Sequence, residues 1–116
     1  MAIEVRTITA DELDDWAKVA NTGFLSHPRE EETELFRPVI EVERAIGAVD
    51  GGRFVGTSTL YSWELTVPGG LLPVALVDVV TVLPTHRRRG VLTQMMRALL
   101  DAAHERGEPI AVLDAS

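Results

Sequence analysis

The chain has 116 residues, of which 46% are hydrophobic and 25% charged, and its net charge is −7. This length fits one domain, and the hydrophobic fraction excludes a disordered chain. The absence of cysteine excludes disulfides, thiolate metal sites and a cysteine nucleophile. Residues 1–6 lack the apolar core of a signal peptide, and no apolar run approaches the ~20 residues of a membrane span. We therefore expect a soluble cytoplasmic protein with no membrane partner.

The charge is unevenly distributed along the chain. Arg87, Arg88 and Arg89 are consecutive, so the remaining residues together carry −10. An acidic chain disfavours nucleic-acid binding, because the phosphate backbone requires a basic face. The basic island suggests a local anion site, and the acidic remainder would attract a cationic second substrate. The alternative is that the acidic residues only keep the protein soluble.

The first part of the chain predicts a strand followed by helices. Residues 3–8 alternate apolar and polar side chains, as in a half-buried strand. Residues 9–12 have the pattern of a capping box, and the apolar spacing that follows predicts a helix over 10–24. The acid-rich segment 29–37 is interrupted by Pro38, and a short helix is predicted on each side of that proline.

The remainder of the chain predicts three strands, a helix and a last strand, at 45–49, 53–66, 71–82, 91–106 and 110–113. Glycine pairs after Asp50 and Pro68 indicate tight turns, so the three strands form an antiparallel meander. The apolar run 71–82 predicts a central strand covered on both faces, and 110–113 predicts another buried strand. Gly107 is placed to end the helix.

The long predicted helix carries one apolar stripe, formed by Leu92, Met95, Met96, Leu99, Leu100 and Ala103. The strand–helix–strand crossover around it is expected to be parallel and right-handed. The predicted fold class is α+β, with mixed α/β layers in which helices cover a twisted sheet.

The segment 80–92 carries the candidate chemistry. A buried strand ends before Pro84, an arginine-rich loop follows, and Gly90 opens the strongest predicted helix. Unpaired amides and the positive dipole end at a helix start suit a di- or polyphosphate, and arginines add bidentate donors. The segment has neither the Gly-Lys-Ser/Thr ending of a Walker loop nor the glycines of a Rossmann fingerprint. The alternative is a solvated basic loop at an ordinary helix start.

The string Arg87-Arg88-Arg89-Gly90-Val91-Leu92 resembles the acetyl-CoA signature of the GCN5-related N-acetyltransferases (GNAT), Gln/Arg-x-x-Gly-x-Gly/Ala. Leu92 differs from the Gly or Ala that this signature has at its sixth position. Leucine is normal there in the enhanced intracellular survival (Eis) branch of aminoglycoside and lysine N-acetyltransferases. Segments 80–92, 111–116, 50–52 and 64–70 also resemble this branch. The resemblance implies a GNAT-like acyl-CoA N-acyltransferase fold. It also implies that residues 1–116 are one incomplete N-terminal acetyl-CoA-binding domain, truncated after the strand that follows the cofactor-binding helix.

The resemblance assigns acetyl-CoA binding to Val80, Val82, Arg87, Arg88, Arg89, Gly90, Val91, Leu92 and Ser116. The two valines would bind the pantetheine arm through their main chain, like a strand added to the sheet. Arg87, Arg88 and the amides of residues 90–92 would hold the pyrophosphate. Arg89 would reach the 3′-phosphate or only solvent, and Ser116 would lie close to the cofactor. In the implied reaction a neutral amine attacks the thioester, and an amide near Val82 polarises the oxyanion.

The resemblance also identifies family features that these residues lack. Family members continue with strands carrying a tyrosine acid, a second acetyltransferase-like region and a C-terminal domain whose carboxylate is the base. Tyr61 does not match that tyrosine, so the catalytic acid and base stay unassigned. The alternative to an enzyme that acetylates an aminoglycoside, polyamine or lysine is a non-catalytic fragment that binds cofactor or partners. An uncovered edge at 110–113 would favour self-association or pairing with the missing region.

Other candidate residues have alternative interpretations. Asp78 would be a base if burial raised its pKa, or else an outward-facing or hydrogen-bonded strand carboxylate. His86 either packs in the loop or donates to a phosphate, or else it takes part in proton transfer. Trp63 and Phe36 are candidates for an acceptor pocket or for the sheet core. The three histidines lack the spacing of metal ligands, so no metal is expected.

Overall fold

A five-stranded sheet in the order β1-β2-β3-β4-β5 organises the chain, and a computed structural model describes residues 3–24 and 38–114. The strands are β1 Glu4–Thr7, β2 Ala45–Asp50, β3 Arg53–Val67, β4 Gly70–Val82 and β5 Ile110–Val112. Neighbours from β1 to β4 are antiparallel, and β5 is parallel to β4. The predicted meander and the parallel last strand are both confirmed.

Two helices of the described residues, α1 (Leu13–Gly23) and α2 (Val91–Glu105), cover opposite faces of the sheet. Between α1 and the sheet lies a hydrophobic core that includes Trp16, Ile8 and Ala45. The face under α2 holds the larger core, which includes Ile46. Because Ala45 and Ile46 are neighbours in one strand, their side chains point to opposite faces, and so do the two cores. The predicted α+β layer architecture is confirmed.

Short helical segments differ from the prediction in detail. The predicted helix 10–24 begins as a 3₁₀ turn, Ala10–Glu12, before α1. After Pro38 the structure has a 3₁₀ turn, Val42–Arg44, and the predicted helix over 29–37 falls outside the described residues. Neither helix within 3–24 and 38–114 is long and apolar enough to cross a bilayer.

The apolar stripe of α2 is narrower than predicted. Its buried side chains are Val91, Met95, Leu99 and Ala103, each four residues from the next. Leu92 and Leu100, which were predicted in the apolar stripe, are exposed by 47% and 48% and do not belong to its buried part. At 3.6 residues per turn, the positions next to the buried stripe lie about 100° around the helix and turn away from the sheet.

Two further predictions were wrong: β4 is not covered on both faces along its whole length, and β5 is not a buried strand. Leu71 is 63% exposed, and Trp63, on the paired part of β3, is 58% exposed. β3 has 15 residues and spans roughly 50 Å, whereas α2, also of 15 residues, spans roughly 22 Å. The helices are therefore too short to cover the β3–β4 hairpin. In β5, Ile110 is 41% exposed.

The C-terminus of α2 ends as the sequence predicts. Gly107 has φ = 76°, its N–H donates to the carbonyl of His104 at 3.0 Å, and the N–H of Glu108 donates to the carbonyl of Ala103 at 3.0 Å. This pair of bonds is a Schellman motif, which requires a residue in the left-handed region and therefore favours glycine. The motif turns the chain directly into β5.

A buried ion pair joins the region before β2 to the turn before β5. The Arg44 guanidinium binds both carboxylate oxygens of Glu108, and its Nη1 also donates to Ser62 Oγ at 2.8 Å. The two charged side chains are only 4% and 5% exposed. Glu41 completes the network, because its carboxylate accepts from the Ser62 N–H at 2.7 Å and from its hydroxyl at 2.9 Å. The network holds β5 in place beside β4.

The ion pair between Arg6 and Glu12 predicts a pH dependence of stability. Hydrogen bonds from the Arg6 guanidinium and the Thr9 N–H lower the pKa of Glu12 from 4.5 to about 2. Because the pKa in the folded state is lowered, the carboxylate stabilises the fold above about pH 4.5, and this stabilisation is lost as the pH falls towards 2. In urea titrations, Glu12→Gln should lower the free energy of unfolding at pH 7 but hardly at pH 2. An equal loss at both pH values would contradict this assignment.

Candidate active site

The candidate site is built around a β-bulge in β4. The pairing register with β3 shifts between Thr57 and Thr59, where β4 places two residues, Val79 and Val80, opposite one. Val79 has φ = 53°, a region that β-branched residues rarely adopt. Its N–H donates to Asp78 Oδ1 at 2.7 Å, and its carbonyl accepts from Thr57 Oγ1 at 2.8 Å. The side chains of Asp78 and Thr57 thus hydrogen-bond to the N–H and the carbonyl of Val79, and these bonds stabilise the bulge.

Beyond the bulge, every second residue of β4 directs its backbone N–H and carbonyl groups away from β3. The Leu83 N–H donates to the Val55 carbonyl at 2.9 Å, so Leu83 and, two residues before it, Thr81 direct their backbone groups toward β3. The carbonyls of Val80 and Val82 and the Val82 N–H therefore point to the other edge. The Val82 carbonyl indeed accepts from Arg87 Nε at 3.2 Å.

The edge to which these groups point is open. β5 pairs with β4 only at Val74, Ala75 and Leu76, whereas β4 continues to Val82. Within the described residues, the pairing of the two parallel strands thus ends at Leu76, before the bulge. The space forms a groove of about 410 Å³ between β4 and the start of α2, which we call the β4 groove. It brings together all the predicted cofactor-binding residues except Arg89 and Ser116, namely Val80, Val82, Arg87, Arg88, Gly90, Val91 and Leu92.

The start of α2 presents its first amides to the β4 groove. Gly90 is the N-cap, with φ = 77°, and no side chain caps this end of the helix. An added Cβ at Gly90 would meet no atom within 4 Å, so the backbone angle rather than crowding favours glycine there. Arg88 also has a positive φ, 63°, and is exposed. Free amides, the positive dipole end and two guanidinium groups thus lie together at this end of the groove, an arrangement that suits an anion.

His86 anchors the loop that carries these arginines. Its Nε2 lies 2.8 Å from Asp50 Oδ2, at the β2–β3 turn, and its Nδ1 lies 2.7 Å from Thr85 Oγ1. The side chains of His86 and Asp50 are 16% and 10% exposed. Both ring nitrogens therefore have partners inside the protein, and the packing interpretation of His86 describes its geometry better than donation to a phosphate.

The remaining predicted residues lie elsewhere. Arg89 is exposed and does not line the β4 groove, and Ser116 and Phe36 fall outside the described residues. Asp78 is exposed and hydrogen-bonded to the Val79 N–H, so the buried-base interpretation was wrong and the hydrogen-bonded one describes it. Trp63 is exposed on the β3–β4 hairpin, so its sheet-core interpretation was wrong, and it lines neither the β4 groove nor the pocket between α1 and the sheet described next.

Sequence reasoning missed a second cavity, on the opposite face of the bulge. It has a volume of about 240 Å³ and lies between α1 and the sheet, and we call it the α1 pocket. Asp78, Val79 and Tyr61 line it from the sheet, and Trp16 and Phe24 line it from the helix side. Burial, followed by the charges of Asp78 and Glu41, raises the pKa of Tyr61, so its hydroxyl stays protonated at neutral pH.

Comparison with known proteins identifies the family. Residues 4–116 match the family model described as "Acetyltransferase (GNAT) domain". The chain belongs to this family. No group of three or more metal-ligating side chains occurs in the described part of this GNAT domain.

The relatives of this GNAT domain include Eis proteins, which confirms the predicted Eis-like resemblance. An uncharacterised N-acetyltransferase of Streptomyces griseus is 44% identical over 119 residues, covering 100% of this chain and 29% of the relative. N-acetyltransferase Eis of Mycobacterium tuberculosis is 34% identical over 118 residues, covering 95% of the chain and 29% of the relative. The chain thus spans less than a third of the length of the curated relatives it matches.

Solved structures show the same fold. The crystal structure of Eis1 from Mycobacterium abscessus superposes with a TM-score of 0.85 at 32% identity, covering 99% of this chain and 28% of that one. The aminoglycoside N-acetyltransferase AAC(6')-Iy in complex with CoA superposes with a TM-score of 0.82 at 21% identity, covering 99% and 78%. The predicted GNAT-like fold is confirmed.

Proposed function

We propose that this chain forms one acetyl-CoA-binding unit of an N-acetyltransferase that acetylates a primary amine of an aminoglycoside, a polyamine or a lysine. The observation that carries the proposal is the bulge of β4, which separates two cavities of opposite charge. The β4 groove has Arg87 and Arg88, and the α1 pocket has Asp78. An anionic acetyl donor and a cationic acceptor fit the two sides of one strand.

The residues of the β4 groove fit acetyl-CoA. The outward backbone groups of Val80 and Val82 suit the amides of a pantetheine arm, which would extend the sheet at its open edge. Arg87, Arg88 and the uncapped amides of α2 suit the pyrophosphate. The family membership and the CoA complex of the fold neighbour AAC(6')-Iy support this assignment. Bound there, acetyl-CoA supplies a thioester carbonyl that a neutral amine can attack.

The groups around the bulge support a direct transfer. In such a transfer a C–N bond forms and the C–S bond breaks, the nitrogen loses a proton, and the thiolate accepts one. Backbone N–H groups at the open edge, such as that of Val82, would polarise the developing oxyanion. Tyr61 lines the α1 pocket rather than the β4 groove, so this proposal assigns no acid to the thiolate from the described residues.

A two-stage experiment tests the proposal. Acetyl-CoA is first titrated into the full chain by calorimetry, and free thiol is then measured with saturating acetyl-CoA and a panel of amines. We expect binding and amine-dependent thiol release above the rate of hydrolysis. Binding without release would favour the alternative, a non-catalytic cofactor-binding fragment of a larger Eis-like protein. The absence of binding would exclude both.

The outer edge of β5 suits pairing with a partner strand. Ile110 and Leu113 are exposed by 41% and 60%, and β5 has a single neighbour, β4, in the described part of the sheet. An apolar edge strand of this kind supports self-association or pairing with a further region of the protein.

A further inference from the structure

The loop between β4 and α2, residues 83–90, which we call the arginine loop, is connected to the β2–β3 turn by two side chains. We infer that Asp50 and His86 are positioning residues for the acetyl donor. Their hydrogen bond holds the arginine loop, before any ligand binds, in the conformation in which its guanidinium groups line the β4 groove. This inference rests on the proposed function, because that proposal places the diphosphate at these guanidinium groups.

The connection joins side chains that are distant in the sequence and mostly buried. His86 Nε2 lies 2.8 Å from Asp50 Oδ2, and the two side chains are 16% and 10% exposed. Because an ionised carboxylate only accepts hydrogen bonds, Nε2 is the donor. Asp50 ends β2, and Gly51 and Gly52 follow it with φ = 59° and 81°, as in a tight hairpin turn. The imidazole thus connects the arginine loop to an ordered turn of the sheet.

Few other bonds support the arginine loop in this conformation. The Leu83 N–H binds the Val55 carbonyl where the loop begins, and Arg87 Nε donates to the Val82 carbonyl at 3.2 Å. Arg88 has φ = 63°, which costs energy for a residue with a Cβ. The consecutive arginines also repel one another at the positive end of α2 until an anion binds. The ligand-free loop therefore needs support that does not depend on the donor.

A further cavity leaves one side of the arginine loop unpacked. It has a volume of about 800 Å³ and lies between α1, the β2–β3 turn and the loop. Leu83, Thr85 and His86 line this cavity, and His86 also lines the β4 groove. His86 thus lies between two open spaces, so packing alone does not fix it. Without the bond to Asp50, the loop can move into the cavity and take its guanidinium groups away from the groove.

The position of Asp50 separates a positioning role from a direct one. Asp50 lines the cavity beside the loop but does not line the β4 groove. Its negative charge by itself would repel an anionic donor. Removal of the carboxylate therefore strengthens donor binding if only the charge matters, and weakens it if the carboxylate holds the loop through His86. The two roles predict effects of opposite sign.

Asp50→Ala tests this difference in the full chain. We expect calorimetry to show acetyl-CoA binding about tenfold more weakly than to the wild type, because less of the free protein has the loop in place. Acetyl-pantetheine, which lacks the diphosphate, should bind as it does to the wild type. Asp50→Asn keeps an oxygen that can accept from His86 Nε2, so it should restore most of the affinity. Asp101→Ala, which removes an exposed carboxylate on α2, is the matched control and should not weaken binding.

A double-variant cycle tests whether the two residues act as one unit. His86→Phe keeps a ring without nitrogen atoms and should weaken acetyl-CoA binding to a similar extent. The double variant Asp50→Ala/His86→Phe should bind no more weakly than the weaker single variant, since one hydrogen bond can be lost only once. Urea unfolding establishes that each variant folds. If Asp50→Ala does not fold, His86→Gln replaces it in the comparison, because its amide can donate to Asp50 and should bind acetyl-CoA more tightly than His86→Phe does.

Several outcomes would overturn the inference. These are unchanged or tighter acetyl-CoA binding by Asp50→Ala, equal losses of acetyl-CoA and acetyl-pantetheine affinity, additive losses in the double variant, and equal affinities of His86→Gln and His86→Phe. Failure of the wild-type chain to bind acetyl-CoA would instead overturn the proposed function itself.

Discussion

Replacing both Arg87 and Arg88 by alanine is expected to lower the affinity for acetyl-CoA by roughly 10²–10⁴-fold. Both side chains line the β4 groove beside the uncapped start of α2, where the proposed pyrophosphate would lie. A hydrogen bond to a charged group contributes about 1.5–3 kcal/mol, so losing two accounts for this range. Calorimetric titration at low and high salt measures the effect. The wild-type affinity should fall as salt is raised, and that of the variant should fall less.

Acetyl-pantetheine separates the role of the arginines from a general loss of structure, because it lacks the diphosphate. The double variant should bind it as the wild type does. Arg97→Ala, an exposed arginine on α2 outside the groove, is the matched control and should leave acetyl-CoA affinity unchanged. Equal weakening of acetyl-CoA and acetyl-pantetheine binding in the double variant would show that the arginines do not bind the diphosphate.

Removing one partner of the buried pair between Arg44 and Glu108 is expected to cause the largest loss of stability. Arg44→Met leaves a carboxylate that is 5% exposed without its counterion, and such a change costs about 3–5 kcal/mol. That is a large part of the roughly 5–15 kcal/mol by which domains are stable. Urea unfolding at pH 7 measures the loss, and Glu108→Gln provides a milder variant if Arg44→Met does not fold.

The double variant Arg44→Met/Glu108→Leu tests the cause of that loss. Because it removes both charges and keeps apolar volume, it should be more stable than Arg44→Met alone. Arg97→Met, at an exposed position, should have little effect. If the double variant lost as much stability as the sum of the single changes, the network would not act as a coupled ion pair.

Local sequence signals predicted the elements that border the β4 groove. Gly90 and the apolar spacing after it marked the start of α2, and Gly107 marked its end, since both residues adopt positive φ values that other residues disfavour. The arginines next to Gly90 could be assigned to an anion site from the same pattern. Arg87 and Arg88 line the groove and Arg89 does not. The spacing of the three arginines in the sequence could not predict which of them would line it.

The bulge and the α1 pocket could not be predicted from local sequence. The bulge depends on Thr57, 22 residues from the carbonyl of Val79 that it binds, and no glycine marks the strained position. The α1 pocket combines Trp16 from α1 with Tyr61 from β3 and Asp78 from β4. Both features depend on contacts between distant segments. The exposure of Leu71 was missed for a related reason, because the lengths of separate elements decide what the helices cover.

An NMR titration of the ¹⁵N-labelled chain with acetyl-CoA tests most directly whether the opened edge of β4 and the start of α2 form one donor site. The account predicts that the amide signals of Val80 and Val82 shift together with those of residues 90–93, at a single dissociation constant. Shifts confined to other parts of the chain, or no shifts at saturating acetyl-CoA, would contradict it.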